Sequence, residues 1–120
     1  MGRKEIRFKN YVNDNIYFIN QLENINLSAK YTGYYYLIKI LDVVINGEIK
    51  VKSFSREVYP IVAKHFGINE CTIERNLRIL IKNCWNDDVS KRLNVKHAKA
   101  PTCCNFLKII IKNVLEKIKN

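Results

Sequence analysis

The chain has 120 residues, 48% of them apolar, and carries a formal charge of +10. That length fits one domain with a real core and excludes two cores of ordinary size. No apolar run approaches the roughly 18 to 20 residues of a membrane span, and the charged start MGRKEIRFKN does not read as a signal peptide, so a soluble, cytoplasmic chain with no membrane partner is expected.

The first 28 residues read as an N-terminal arm or extra helix. IYFINQLEN is patterned as a helix, whereas EIRFKNYV fits a strand, an arm or a helix turn. From Tyr31 the segment YTGYYYLIKILDVVING places Tyr34, Leu37, Ile38, Leu41, Val44 and Ile45 at helical spacing, with Gly47 where a C-cap is wanted. After the connector GEIKVKS, residues 55–66 carry Val58, Ile61, Val62 and Phe66 on one side. Pro60 lies inside this segment, so the helix either starts near Tyr59 or starts near Ser55 and is distorted at the proline; the second is preferred.

Gly67 then ends one helix and Asn69 caps the next, with Glu70 in a first turn that favours negative charge. This next helix has Ile73, Leu77, Leu80, Ile81, Cys84 and Trp85 on one apolar stripe and Glu74, Arg75, Arg78 and Lys82 opposite. Asp87 and Asp88 are expected to close it, followed by a short helix and a loop. Pro101 and Thr102 open a final helix with Thr102 as cap and with Leu107, Ile110, Ile111, Val114, Leu115 and Ile118 expected inward. Helical periodicity dominates throughout, which predicts an all-α fold, a compact bundle of about six helices.

The residues that could carry chemistry are few. Cys71, Cys84, Cys103 and Cys104 form no C-x-x-C pair and have no histidine at zinc-finger spacing, so no structural metal is expected. Cys84 reads as a small core residue, and Cys103 and Cys104 as helix-start residues. No Ser/His/Asp set, carboxylate pair or phosphate-cradling glycine loop is present, so neither an enzyme nor a cofactor nor a small-molecule substrate is expected.

The positive charge points toward nucleic acid. However, 15 Asn, 17 Ile and 15 Lys against 4 Ala fit an AT-rich coding bias that inflates lysine, so placement says more than the total. Two of the six arginines, Arg75 and Arg78, fall on one face of one predicted helix. A helix-turn-helix needs a small residue where its helices cross, a glycine that turns the chain and apolar residues that clamp the second helix; Ala63, Gly67, Ile68 and Ile73 supply these in order. Leu77 falls one residue beyond the usual later apolar position. The alternative is a plain αα-corner in a bundle.

Several motifs carry a resemblance. Gly33-Tyr34 with Tyr36-Leu37, Tyr59-Pro60, Ala63-Lys64 with Phe66, Glu74-Arg75 with Arg78, Trp85, and Pro101-Thr102 with Phe106 are spaced as in one family, apart from a shortened segment after Trp85. Over residues 31–115 the chain resembles the C-terminal DNA-binding domain of the master response regulator that initiates sporulation in endospore-forming bacteria. The AT-rich bias suits that setting. The resemblance implies a six-helix, all-α domain over residues 29–120 with a helix-turn-helix, able to associate as a homodimer on tandem DNA sites. Full-length members carry a receiver domain ahead of this module, and the 28 or so residues here are too few to build one, so the expectation is a stand-alone relative or a fragment with no aspartyl-phosphate switch of its own. In the family the recognition helix carries an arginine, one residue, then a Glu-Arg pair; the first arginine and the glutamate look toward base edges and the following basic residues toward phosphates. Here Thr72 stands in place of that first arginine, which sets this chain's DNA reading apart from its relatives'.

The candidate DNA-contacting residues are therefore Lys64, Glu70, Cys71, Thr72, Glu74, Arg75, Arg78 and Lys82. Arg75, Arg78 and Lys82 follow the turn glycine and are read as contacts to double-stranded DNA rather than as a merely solvated face. Glu74 is either an i,i+4 partner for Arg78 or an acceptor for cytosine N4. Tyr34, Tyr35 and Tyr36 suggest base stacking, but Tyr34 lies on the core stripe and packing is favoured. Two functions follow: a sporulation-related, sequence-specific transcription regulator with its recognition helix at residues 70–85 in the major groove, or a non-enzymatic module that binds or titrates a full-length regulator.

Overall fold

The computed structural model describes residues 15–96 and 99–119. The expectation for EIRFKNYV lies outside the described residues. Those described form α1 (Ile16–Asn24), α2 (Thr32–Leu41) running into a π-helical turn (Asp42–Asn46), α3 (Phe54–Glu57), α4 (Tyr59–Phe66), α5 (Glu70–Cys84), α6 (Asp87–Arg92) and α7 (Cys103–Lys119), with no strand among them. Counting α3 and α4 as one broken helix makes six, so the all-α bundle expected from periodicity is what forms.

Helix α2 is apolar nearly all round, and a helix of that kind belongs at the centre of a core. Tyr34, Tyr36, Leu37, Ile38, Ile40 and Leu41 are all buried, so Tyr34 and Tyr36 are scaffold, and Tyr35 is half-buried against the same core. The most extensive helix pairing is α2 with α5. It is tight because Gly33 lets the backbones touch: a Cβ there would lie 2.3 Å from the Asn76 carbonyl oxygen. Helix α1 adds Phe18 and Leu22 to this core, and α7 adds Cys103, Phe106, Leu107, Ile110 and Val114.

Four helices end in one way, with a left-handed residue whose own amide and the next one bond back to carbonyls of the last turn. Asn26, Glu48, Gly67 and Asn94 are those residues, and the paired bonds are present at each. This is the Schellman arrangement, which satisfies carbonyls the helix leaves open. Gly47 is the C-cap, as expected, but its φ is −81° and the left-handed residue is Glu48, one further on. Gly47 is needed for a different reason, since a Cβ would meet the Val43 carbonyl oxygen in the widened π turn.

The Ser55–Phe66 segment breaks at Val58, leaving Pro60 in the first turn of α4. Both readings thus hold in part. Upstream, the Ser53 hydroxyl accepts from the Arg56 amide, while the Glu57 carboxylate accepts from the Lys52 and Ser53 amides at 2.7 and 2.6 Å. These amide bonds hold the Glu57 carboxyl below the usual carboxylate range.

Three expectations are corrected. Asp87 and Asp88 do not close α5 but open α6: α5 ends at Cys84, and Asn86 caps the next helix by accepting from the Val89 amide at 2.8 Å. Carboxylates are favourable at a helix N-terminus, which suits that place. Trp85 is not on the α5 stripe, being extended and half-buried just beyond it, edge-on to Phe106 at 6.4 Å between ring centroids. Leu115 and Ile118 do not face the core. They are 37% and 49% exposed along an open groove of about 960 Å³ between α7 and residues 44–54.

Candidate nucleic-acid interface

The interface candidate is built on α4, the turn and α5. Helix α4 ends at Gly67, whose φ of 67° turns the chain, and the added Cβ of any other residue would meet nothing within 4 Å. Only conformation, not space, asks for glycine there. The Ile68 amide bonds back to the Ala63 carbonyl at 3.0 Å, and the Asn69 side chain then caps α5 by accepting from the Cys71 amide at 3.1 Å. Three residues thus separate two helices whose inner sides are fixed by Val62, Ala63 and Phe66 on α4 and by Ile73, Leu77, Leu80, Ile81 and Cys84 on α5.

With that stripe buried, the opposite side of α5 is set by geometry, at about 100° per residue. Cys71, Arg75, Arg78, Ile79 and Lys82 lie outward and all are exposed, as are Glu70 and, on α4, Lys64. Thr72 and Glu74 are half-buried and flank this outer face on opposite edges, since residues two apart on a helix lie about 160° apart. On α5 the sequence-selected residues from Cys71 to Lys82 thus lie on its outer face or at its two edges, at different depths.

Glu74 has a partner of its own. Its carboxylate accepts from the Arg78 guanidinium, a pair 40% and 70% exposed, and its carbonyl accepts from the Cys103 thiol at 3.8 Å. Such a surface i,i+4 pair contributes only about 0.3 to 0.5 kcal/mol. The pair lies over an open cleft of about 570 Å³ that α5 shares with Pro101, Thr102, Cys103 and Cys104. Burial, then the nearby Glu74 charge, pushes the Cys103 thiol up, so it stays protonated near neutrality. Burial also raises Tyr59 beneath this region and carries Tyr34 to about 12, so both remain neutral phenols. Among the described residues no group of His, Cys, Asp and Glu is arranged to hold a metal. Nor is any described helix long and apolar enough to cross a membrane.

Residues 18–114 match the family described as Sporulation initiation factor Spo0A C terminal. The chain belongs to that family. The Spo0A C-terminal family is one of DNA-binding, sporulation-related regulatory domains, and not a catalytic one. No solved structure matches the chain. One residue on the outer face was passed over in the sequence: Ile79, four residues after Arg75 and off the apolar stripe. Its signal was there to read, as an isoleucine at a position where the helix period calls for a polar residue.

Proposed function

We propose that the chain is a sequence-specific transcription regulator whose helix α5 lies in the major groove of duplex DNA, in a sporulation-related setting. The observation that carries this reading is the division of α5, with five side chains buried inward and Arg75, Arg78 and Lys82 exposed outward just after the Gly67 turn. In this reading Arg75, Arg78, Lys82 and Lys64 grip phosphates, with Glu70 and Cys71 at the first turn beside the backbone, and Thr72 meets base edges where relatives carry arginine. Glu74 acts first as the ion-pair partner of Arg78. Association on tandem sites as a homodimer belongs to the same reading.

Fluorescence anisotropy of labelled duplexes across a salt series tests it. Affinity should fall steeply, with a log–log slope of about −0.9 per neutralised phosphate, and Arg78→Ala should reduce that slope by about one. A slope near zero overturns the reading. Selection from a randomised duplex pool tests Thr72: Thr72→Arg should sharpen a guanine preference at one position, because arginine bonds O6 and N7 together. Equal guanine selection by the parent chain would remove Thr72 from the groove.

A second reading, a module that captures a full-length regulator through its helices, is favoured by the exposed Leu115 and Ile118 along the α7 groove. Absence of duplex binding at low salt would select it.

A further inference from the structure

Helix α5 contains five large aliphatic residues besides its cysteines, and four of them, Ile73, Leu77, Leu80 and Ile81, are at most 4% exposed. The fifth, Ile79, is 42% exposed. It stands in line with Thr72, Arg75 and Lys82, at spacings of three, four and three residues along one ridge opposite the buried stripe. In the homeodomain variant of the helix-turn-helix, the helix in the major groove makes its base contacts at i, i+3, i+4 and i+7. Counted from Thr72, Ile79 falls on the last of the three later positions.

The neighbouring amides leave this ridge apolar at Ile79. Asn83 donates its side-chain N–H to the Ile79 carbonyl at 2.7 Å, and Asn76 donates to the Thr72 carbonyl at 2.8 Å. Each is turned back onto its own helix. The isoleucine is also stiff, because a β-branched side chain in a helix has one strongly preferred rotamer, so little freedom is lost when it is covered.

We propose that Ile79 is a specificity-determining residue that reads a thymine methyl group in the major groove. The proposal rests on the placement of α5 described above and deepens it. The thymine methyl is the apolar feature that a base pair offers in that groove. Against a G·C pair the same side chain covers polar atoms that it cannot bond, and a buried polar group without a partner is penalised. Ile79 thus favours A·T by attraction and disfavours G·C by exclusion. Seven residues of helix rise span roughly 10 Å, close to three base-pair steps of about 3.4 Å, so the thymine read by Ile79 lies about three pairs from the pair facing Thr72.

The test replaces thymines by uracils, one at a time, in the best duplex selected by the unaltered chain, which removes the methyl and leaves every hydrogen-bonding group. At one thymine, about three pairs from the position altered by Thr72→Arg, uracil should weaken binding roughly three- to fourfold, the effect of one buried methyl. Ile79→Ala should bind thymine and uracil alike at that position, with the salt slope and the melting temperature unchanged. Ile79→Gln should move the preference there toward adenine on the contacted strand, through a bidentate contact to N6 and N7. If the parent chain binds DNA with a steep salt slope and Ile79→Ala keeps the same thymine-to-uracil ratio at every position, the assignment of Ile79 fails while the α5 reading stands. A flat salt slope, with no duplex preferred, overturns both.

Discussion

On its inner face α5 buries Ile73, Leu77, Leu80, Ile81 and Cys84 in the shared core, while on its outer face the side-chain contact among the charged residues is the Arg78–Glu74 pair. The inner face is constrained by shape, since interiors are close-packed and respond to a single methylene. The outer face is constrained by almost nothing within the chain. Changes there leave the fold alone and alter what the helix meets, so one helix carries two nearly independent sets of requirements.

Substitutions on the two faces sharpen this contrast. Leu77→Ala, at a fully buried position in the middle of α5, should cost about 3 to 5 kcal/mol in urea unfolding. Gly33→Ala should cost about 2 to 3 kcal/mol, because the new Cβ meets Asn76 backbone that cannot swing aside as a side chain does. It should also weaken DNA binding by displacing α5. A melt equal to the parent's would place the α2–α5 contact wrongly. Gly67→Ala should cost about 1 to 2 kcal/mol, a conformational effect alone, since nothing lies near the new methyl. On the outer face Arg75→Ala should stay within about 0.5 kcal/mol of the parent in stability and show its effect in duplex binding alone.

The smallest expected effect is one of pH. The Arg92 side chain, then Asn26, hold the exposed Asp88 carboxyl below its ordinary range. A carboxyl lowered in the folded state stabilises above its unfolded value and loses that contribution as pH falls through the folded one. Acid titration of stability should therefore fall slightly less steeply in Asp88→Asn, in the window below the ordinary aspartate range. Parallel curves would show that the clamp at Asp88 contributes nothing.

What the sequence disclosed followed the same division. The cores of α2, α5 and α7 were legible because a 3.6-residue apolar period has few other readings, and the turn was legible because Gly67 and Asn69 carry local chemistry that needs no tertiary context. Glu48 was not legible as a left-handed residue: the π turn that places it there depends on packing, and Gly47 beside it is the stronger local signal. Leu115 and Ile118 continue the α7 stripe without a break, and periodicity alone does not distinguish a closed core from an open groove. The candidate site was legible as a set of positions. Three-dimensional geometry was needed for the depth of Thr72 and to choose between the two readings of Glu74, whereas Ile79 could be read from the helix period.

Two hydrogen bonds join the end of α1 to α6, from Asn26 to Asp88 at 2.7 Å and from Arg92 to the Asn24 carbonyl at 3.1 Å, across 62 and 68 residues of chain. Closing loops of that length is entropically costly before the intervening chain is ordered, whereas the α4–α5 turn closes across a handful of residues. The α4–α5 corner is therefore the part expected to form from near neighbours, while the α2–α5 pairing and the α1–α6 seam both need long closures. These two bonds are exposed, so the seam is expected to open before the α2–α5 pairing does. Amides of α6 and of the end of α1 should exchange with solvent together, as one unit, while those of α2 and α5 wait for global unfolding.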